Sequence, residues 1–158
     1  MLLGIFSDTH DNLPLIEKAV RFFNQQAVDF VLHAGDFVAP FSVNKIKKLK
    51  CDWKGIFGNN DGEQKGLSVI SEGRIQSGPL RVKLEGKEIT LVHDIMQIEP
   101  DNEPAKIIIC GHTHKPQIIN QGSKLVINPG ECCGWLWGKA SVALLELNTL
   151  KAKLYDIE

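Results

Sequence analysis

The stretch that decides the fold is Leu2–Asn12, LLGIFSDTHDN, where a short apolar run is followed at once by a polar cluster. The run Leu2–Phe6 is almost continuously apolar, which is typical of a strand that is buried on both faces of a sheet. Asn12 is a plausible helix cap, and Pro14 falls in the first helical turn. The stretch therefore predicts a strand, a polar turn and a helix in succession.

The rest of the first half repeats this alternation of strand and helix. The first helix is predicted from apolar residues that recur at helical spacing, namely Leu13, Ile16, Val20, Phe23 and Ala27. A second strand is expected within DFVLHAGD, a second helix over Phe41–Leu49, and a third strand within CDWKGIFG. This order predicts a parallel sheet with right-handed crossovers.

The second half is richer in strands. The segment LRVKLEGKEITLVHD alternates on both sides of Gly86-Lys87, which predicts a hairpin. Further strands are expected in KIIICG, PQIINQGSKLVINPG, ASVALLEL and KAKLYDI. An α/β fold with two packed sheets flanked by helices is the simplest architecture, and residues 1–158 are predicted to form one domain.

Composition excludes several classes of protein. The formal net charge is −1, which argues against a dedicated nucleic-acid binder. The basic stretch KIKKLK, Lys45–Lys50, is interpreted as the solvated face of a short helix rather than a phosphate track. The four cysteines form no CxxC pair, as a zinc ribbon or a secreted disulfide framework would require. The N-terminus has no basic region and no stretch approaches membrane-spanning length, so we expect a cytoplasmic protein that contacts no membrane.

All five histidines fall at or just after the ends of predicted strands. The strand ends carry Asp8 with His10, His33 with Asp36, then Asn59, His93, and His112 with His114. Strand ends are where open α/β sheets bind ligands. In an extended loop, the two-residue spacing of Asp8 and His10 would put both side chains on one side. The combination indicates a metal site.

The donor types narrow the choice of metal. Histidine nitrogens with two carboxylates and no thiolate suit Mn²⁺, iron, Zn²⁺ or Ni²⁺. With His33 left aside, the seven candidate ligands exceed what one ion needs. One shared carboxylate with three further ligands for each ion accounts for all seven, which predicts two ions about 3.5–4 Å apart, as in phosphoryl chemistry.

The motifs SDTHDN, HAGD, GNND, VH, GHTH and NPGE, in this order, resemble the motif set of calcineurin-like metallophosphoesterases. The resemblance runs from Asp8 to about Gly134 and is strongest to the small single-domain prokaryotic phosphodiesterases of that superfamily. It implies a fold of two mixed β-sheets packed as a sandwich flanked by helices. It also implies a metal-dependent phosphodiesterase, in which a hydroxide shared by two ions attacks a small-molecule phosphodiester.

The resemblance also implies a role for each motif residue. One metal would be held by Asp8, His10 and His114, the other by Asn59, His93 and His112, with Asp36 bridging them. Asn59 would bind through its amide oxygen. Asp36, Asn59 and His112 are expected to be central to catalysis through the metal-bridged hydroxide. Mn²⁺ is the first expectation, with Ni²⁺, Zn²⁺, iron and Mg²⁺ as alternatives.

Three features depart from the family pattern. Asn60 occupies the position where relatives often have a histidine that protonates the leaving group, and an amide cannot supply that proton. Asp94 follows His93 where many relatives have glycine. The segment DIMQIEPDNEPAK is predicted to be a shortened loop in place of a longer helical stretch. His33 receives no ligand role and is expected to pack or hydrogen-bond near the strand end.

The segment NPGECCGWLWG, residues 128–138, leaves several roles open. Trp135 and Trp137 would stack on a substrate base, form an oligomer contact or cover a sheet edge. The adjacent Cys132 and Cys133 would be redox-active only with a lowered thiol pKa. A homo-oligomer, either a dimer or a tetramer, is compatible with the sequence.

Two other functions remain as alternatives to the phosphodiesterase. A non-catalytic scaffold for protein contacts is known from one branch of the superfamily, the retromer subunit, but there the ligand set is eroded. A nuclease is less favoured, because phosphate contacts supply most nucleic-acid affinity and the charge here is near zero.

Overall fold

The computed structural model describes residues 1–157, which form two β-sheets. The first sheet consists of β1 (Leu2–Phe6), β2 (Phe30–His33), β3 (Asp52–Ile56), β4 (Ile75–Gln76), β10 (Ala140–Glu146) and β11 (Lys151–Ile157). Its strand order is β11-β10-β1-β2-β3-β4. The four strands β1 to β4 run parallel, whereas β10 and β11 are antiparallel to their neighbours. The predicted parallel half is therefore confirmed.

The second sheet consists of β5 (Leu80–Leu84), β6 (Lys87–Leu91), β7 (Ile107–Ile109), β8 (Gln117–Gln121) and β9 (Lys124–Asn128). Its order is β5-β6-β7-β9-β8, with β6, β7 and β9 parallel and the outer strands antiparallel. The predicted hairpin is β5–β6, but its turn is Glu85-Gly86 rather than Gly86-Lys87. Both turn residues have positive φ, 45° and 76°, which suits the tight turns that join twisted strands.

The first helix, α1 (Leu13–Gln25), begins as the sequence predicts. The Asn12 side chain accepts a hydrogen bond from the backbone N–H of Leu15 at 3.4 Å, and a proline lies in the first turn. Ala27 does not continue the helix, although it fits the apolar spacing. Its φ of 50° is left-handed, which ends the helix and turns the chain toward β2.

The predicted second helix over Phe41–Leu49 is mostly wrong. The segment forms a 3₁₀ turn at Pro40–Ser42 and a single α-helical turn, α2 (Val43–Ile46). The residues that follow α2 are held by a side chain of α1. The Asn24 side chain donates to the Lys48 carbonyl at 3.0 Å and accepts from the Lys50 N–H at 2.9 Å. These bonds replace the continuation of a regular helix.

Two short elements were not predicted from the sequence. Helix α3 (Gln64–Ile70) has one buried residue, Leu67, so it has no apolar stripe from which to recognise it. Strand β4 is only two residues long. The segment between β6 and β7 is a loop with one 3₁₀ turn, Ile95–Gln97, as the shortened-loop prediction requires.

The core lies mainly between the two sheets. Leu3, Ile5 and Leu32 of the first sheet pack in one buried cluster with the inward side chains of the second, including Ile89 and Ile109. The opposite face of the first sheet packs on α1 through a second cluster. The fold is thus a sandwich of two mixed sheets with flanking helices, as expected. Within residues 1–157, every helix is too short or too polar to cross a membrane.

Candidate active site

The polar residues that follow the strands converge at one edge of the sandwich. The loop after β1 is joined to the loop after β2, since the N–H of Asp8 donates to the Gly35 carbonyl at 2.9 Å and that of His10 to the Asp36 carbonyl at 3.1 Å. The two sheets are joined at the same edge, where the N–H of His112 donates to Asp8 Oδ2 at 3.2 Å. Loops from both sheets therefore form one continuous site.

Several backbone conformations in this site are unusual. Positive φ angles occur at the non-glycine positions Asp8, His10, Asp36, His112 and His114, with values between 38° and 65°. Residues with side chains adopt this region rarely, and such outliers concentrate at functional sites. The expectation that Asp8 and His10 share a side through an extended loop is wrong. A left-handed turn brings them together instead.

One group of side chains surrounds a small central space. Asp8, His10, Asp36 and His114 each offer a ligand atom, and these atoms all lie within 4.8 Å of one another. His114 Nε2 is 3.4 Å from Asp8 Oδ1, and His10 Nε2 is 3.5 Å from Asp36 Oδ2. Among the described residues, Asp8 Oδ1 and His10 Nε2 are buried without a hydrogen-bond partner. This group can hold a metal ion.

A second group forms around the amide oxygen of Asn59. That Oδ1 lies 2.8 Å from His93 Nε2 and 2.9 Å from His112 Nδ1. His93 Nε2 is also 3.4 Å from Asp36 Oδ2. The Asp36 carboxylate is therefore close to both groups, and all seven residues singled out by the sequence lie together.

Asp36 is held in its ionised form by its neighbours. Burial opposes ionisation, but the His93 ring at 3.4 Å and the hydrogen bonds from Asn60 outweigh it and lower the pKa of Asp36 below its ordinary value. Asn60 donates twice, from its backbone N–H to Oδ1 at 2.8 Å and from Nδ2 to Oδ2 at 2.7 Å. Asn60 thus fixes the orientation of Asp36, a contact that the sequence did not predict.

Close packing at this edge requires glycine at two positions. A Cβ on Gly58 would overlap the Asp36 carboxylate, and one on Gly111 would lie 2.7 Å from Asp8 Oδ2. Only glycine lets the backbone approach the carboxylates this closely. The absence of these side chains therefore helps to shape the site.

Glu131 is the functional residue that sequence reasoning missed. Its Oε2 accepts a hydrogen bond from His114 Nδ1 at 2.8 Å, and its carboxylate also accepts from the N–H of Leu136 at 3.0 Å and of Trp137 at 2.6 Å. Although burial opposes it, these donors, His114 foremost, lower the pKa of Glu131. The sequence signal that could have identified Glu131 is its place in the NPGE motif, whose residues received no role in the sequence analysis.

Asp61 and His33 are buried residues that stabilise the loops carrying the candidate ligands. Asp61 accepts hydrogen bonds from the N–H groups of Asp36, Val38 and Gly58 at 2.7–3.0 Å, so it ties two loops together. His33 is fully buried and stacks on Phe37 at 3.6 Å between ring centroids. Burial holds the pKa of His33 well below its usual value. Its packing role is as expected.

Asp94 and the paired cysteines are not among the seven residues, although Cys133 offers a ligand atom within 4.8 Å of those of His10 and His114. Asp94 caps the following 3₁₀ turn through the N–H of Met96 at 3.0 Å, and it lies 3.8 Å from His112 Nε2. Cys132 and Cys133 are buried and unbridged. Burial raises the pKa of Cys133 to about 12 and also raises that of Cys132, so neither is a reactive thiolate at neutral pH.

Trp135 and Trp137 lie on the surface beside the first group. Their relative exposures are 64% and 57%, so they do not cover a sheet edge. Trp135 stacks on the His10 ring with 6.1 Å between centroids. The ammonium group of Lys115 lies 5.3 Å from the centroid of Trp137.

Fold and site together define an α/β sandwich protein with a histidine and carboxylate centre at its strand ends. Residues 1–150 match the profile of the calcineurin-like phosphoesterase superfamily domain. The chain belongs to this superfamily, which implies divalent metal ions. It is 35% identical over 154 residues to a phosphodiesterase of Methanocaldococcus jannaschii, covering 92% of this chain and 93% of that protein.

Solved structures agree with this assignment. An archaeal phosphodiesterase superposes with a TM-score of 0.89 and 33% identity, covering 99% of each chain. Vps29 of Entamoeba histolytica, solved in complex with zinc, superposes with a TM-score of 0.69 over 100% of each chain. Its identity is 20%, so that likeness concerns the fold alone.

Proposed function

We propose that this protein hydrolyses small phosphodiesters with two divalent metal ions held at the strand ends. Asp8, His10 and His114 would hold one ion, Asn59, His93 and His112 the other, and Asp36 would be shared. The observation that carries the proposal is the pair of buried atoms without a hydrogen-bond partner among the described residues, Asp8 Oδ1 and His10 Nε2, at the centre of the first group. Buried polar atoms are rarely left in that state.

The spacing in the first group suits an ion rather than direct hydrogen bonds. The ring nitrogens of His114 and His10 lie 3.4–4.0 Å from the oxygens of Asp8 and Asp36. Those distances are too long for good hydrogen bonds. Two ligand atoms that each lie about 2.1 Å from one ion are separated by about 3–4 Å, which fits the observed spacing.

Tautomers in both groups support the same conclusion. His93 Nδ1 donates to the Ala34 carbonyl at 2.8 Å, so in neutral His93 the Nε2 lone pair points toward the oxygens of Asn59 and Asp36. His114 Nδ1 donates to Glu131, which leaves its Nε2 lone pair toward Asp8. Lone pairs that face oxygens repel each other, and a cation between them removes that repulsion.

The donor set supports a borderline or hard divalent ion. Nitrogen and oxygen ligands without a thiolate suit Mn²⁺, Ni²⁺, Zn²⁺ and iron, and Mn²⁺ is the proposed native ion. Cys133 lies beside His10 and His114. Its thiol donates a hydrogen bond to Glu131 Oε2 at 3.3 Å, and the proposed ligand set does not include it.

When bound, divalent ions in such a site generate a nucleophile from water at neutral pH and neutralise the charge on phosphoryl oxygens. The residues of this chain fix the geometry. Asn60 locks Asp36 through two hydrogen bonds, and Glu131 and the Ala34 carbonyl fix the ring orientations of His114 and His93. Because the amide of Asn60 cannot donate a proton as an acid, we expect the best substrates to have good leaving groups.

Hydrolysis of bis(p-nitrophenyl) phosphate tests the proposal. EDTA-treated protein should be inactive, and Mn²⁺ or Ni²⁺ should restore activity. A metal-loaded protein that does not cleave this activated diester would refute the proposed reaction. Zinc, iron and Mg²⁺ would be compared in the same assay to identify the native ion.

A protein-interaction scaffold is the second candidate, favoured by the likeness of fold to Vps29. The seven clustered side chains count against it, since a scaffold needs no such centre. Because Vps29 itself was solved with zinc, a metal-loaded protein that hydrolyses no phosphodiester would favour the scaffold.

A nuclease has less support. Lys45, Lys47 and Lys48 form ion pairs with Glu17 and Glu72, so this basic stretch is not an open phosphate track. None of the four cysteines is in a disulfide, which is typical of a reducing compartment, and we propose the cytoplasm as the location.

A further inference from the structure

The segment Trp135–Trp137, here called the aromatic loop, exposes three large apolar side chains in a row. Trp135, Leu136 and Trp137 are 64%, 69% and 57% exposed. Such residues are usually buried, and a contiguous exposed group of them marks an interaction site. The proposed reaction assigns no role to this loop.

A continuous stack of rings connects the aromatic loop to the proposed metal site. The Trp135 ring lies 6.1 Å from the His10 ring at an interplanar angle of 29°, and the His10 ring lies 5.2 Å from that of His114 at 25°. His10 and His114 belong to the first group of ligands. Trp135 therefore borders the place where a phosphoryl group would bind.

The aromatic loop and the site are also held by the same carboxylate. Glu131 accepts the N–H groups of Leu136 and Trp137 while it orients His114. The position of the loop is thus fixed relative to the site, which is what a binding surface requires.

The charge beside the loop suits an anionic ligand. Lys115 directly follows His114, and its ammonium group lies 5.3 Å from the centroid of the Trp137 ring. A cation at the edge of an aromatic surface favours a ligand that combines a ring with a negative charge.

We propose that Trp135 is a binding subsite for a planar ring on the substrate, so that the enzyme prefers phosphodiesters with an aryl or nucleobase substituent. The inference rests on the proposed function, since it places the phosphoryl group at the metal centre. Stacking of one base on an aromatic side chain is worth roughly a 5- to 150-fold change in affinity. The preference should depend on Trp135 and not on Trp137, which packs beneath Lys115.

Calorimetric titration of the Mn²⁺-loaded protein tests the subsite without turnover. The ligands are ethyl phosphate, phenyl phosphate and thymidine 5′-monophosphate, which share a phosphate and differ in the ring. In wild type, at least one ring-bearing ligand should bind roughly 5- to 150-fold more tightly than ethyl phosphate. The tighter of the two identifies whether the ring is an aryl group on the phosphate or a base beyond a sugar.

Two matched variants identify the responsible ring. Trp135→Leu should bring the three affinities to within about twofold of one another, whereas Trp137→Leu should keep most of the preference. Both positions are exposed, and thermal unfolding checks that each variant folds. A preference that is absent in wild type, or that survives in Trp135→Leu, would overturn the inference.

Two further readouts separate this inference from its alternatives. If Trp135→Leu dissociates an oligomer in light scattering while ring preference is unchanged, the loop is an interface between copies and the subsite is refuted. If wild type hydrolyses bis(p-nitrophenyl) phosphate but shows no ring preference, only the subsite fails. If it binds the ring-bearing phosphates preferentially but hydrolyses nothing, the proposed reaction fails and the subsite stands.

Discussion

Replacing Glu131 with glutamine should weaken metal binding, although Glu131 is not a proposed ligand. The substitution keeps the size of the side chain and removes its negative charge. In wild type, this carboxylate holds the Nδ1–H of His114 at 2.8 Å, which leaves Nε2 free to face Asp8. An amide in its place would polarise the imidazole less and would present an NH₂ group to one of the three N–H donors.

The expected size of the effect follows from these contacts. Loss of the partner that orients a metal-binding histidine typically costs 10- to 100-fold in metal affinity, or about 1.4–2.7 kcal/mol. Hydrogen bonds to a charged acceptor contribute about 1.5–3 kcal/mol each, against about 1 kcal/mol for a neutral one. We therefore also expect the free energy of unfolding to fall by about 1–3 kcal/mol.

The assay is a Mn²⁺ titration of EDTA-treated protein, followed by the initial rate of bis(p-nitrophenyl) phosphate hydrolysis. The half-saturating Mn²⁺ concentration should rise about 10- to 100-fold in Glu131→Gln, and excess metal should restore much of the rate. The matched control is Glu103→Gln. Glu103 is also buried, but its carboxylate accepts hydrogen bonds from Arg81 and Thr90.

Glu103→Gln should lower the melting temperature and leave the Mn²⁺ dependence unchanged. If Glu131→Gln keeps the wild-type Mn²⁺ dependence, Glu131 does not orient His114 for metal binding. If the half-saturating Mn²⁺ concentration rises equally in Glu131→Gln and Glu103→Gln, the effect is general destabilisation of the fold.

Two further predictions concern residues around the ligands. Asn60→His introduces a group that can protonate the leaving group. We therefore expect kcat/KM for a diester with a poor leaving group to rise at least about tenfold relative to kcat/KM for bis(p-nitrophenyl) phosphate. An equal change in kcat/KM for both substrates would contradict this role. His33 is neutral in the folded protein because burial lowers its pKa, whereas it takes up a proton near pH 6.5 when unfolded. Its contribution to stability is therefore present above pH 6.5 and lost as the pH falls below it, by up to about 1.4 kcal/mol per pH unit. Urea unfolding in the presence of EDTA measures the free energy of unfolding, which should decline less steeply between pH 6.5 and 5 in His33→Asn than in wild type. An identical decline in the two proteins would refute the role given to His33.

The fold could be predicted where burial alone determines the pattern. β1, β2 and β7 are nearly continuous apolar runs because these three strands are buried on both faces, and α1 has a cap and an apolar stripe. The second helix was overpredicted because its end depends on Asn24, a side chain from another helix. α3 was missed because it buries only Leu67.

The site was predictable to a similar degree. Six of the seven proposed ligands are histidines or carboxylates at strand ends, which are distinctive residue types, and Asn59 was identified through the family resemblance. The sequence could not predict how they are oriented. Glu131 meets His114 only through tertiary packing, and the contact between Asn60 and Asp36 joins loops 24 residues apart. The left-handed turns at Asp8 and His10 replace an extended loop because backbone bonds from the β2 loop require them.

The most direct test of the two-metal site is the metal content of the wild type and of His112→Ala. After Mn²⁺ loading and removal of free ions, elemental analysis should give two Mn²⁺ per wild-type chain. His112 Nδ1 lies 2.9 Å from Asn59 Oδ1 in the second group. We therefore expect His112→Ala to retain one ion and to lose nearly all hydrolysis of bis(p-nitrophenyl) phosphate. One ion or none in wild type, or two ions in the variant, would contradict the proposed site.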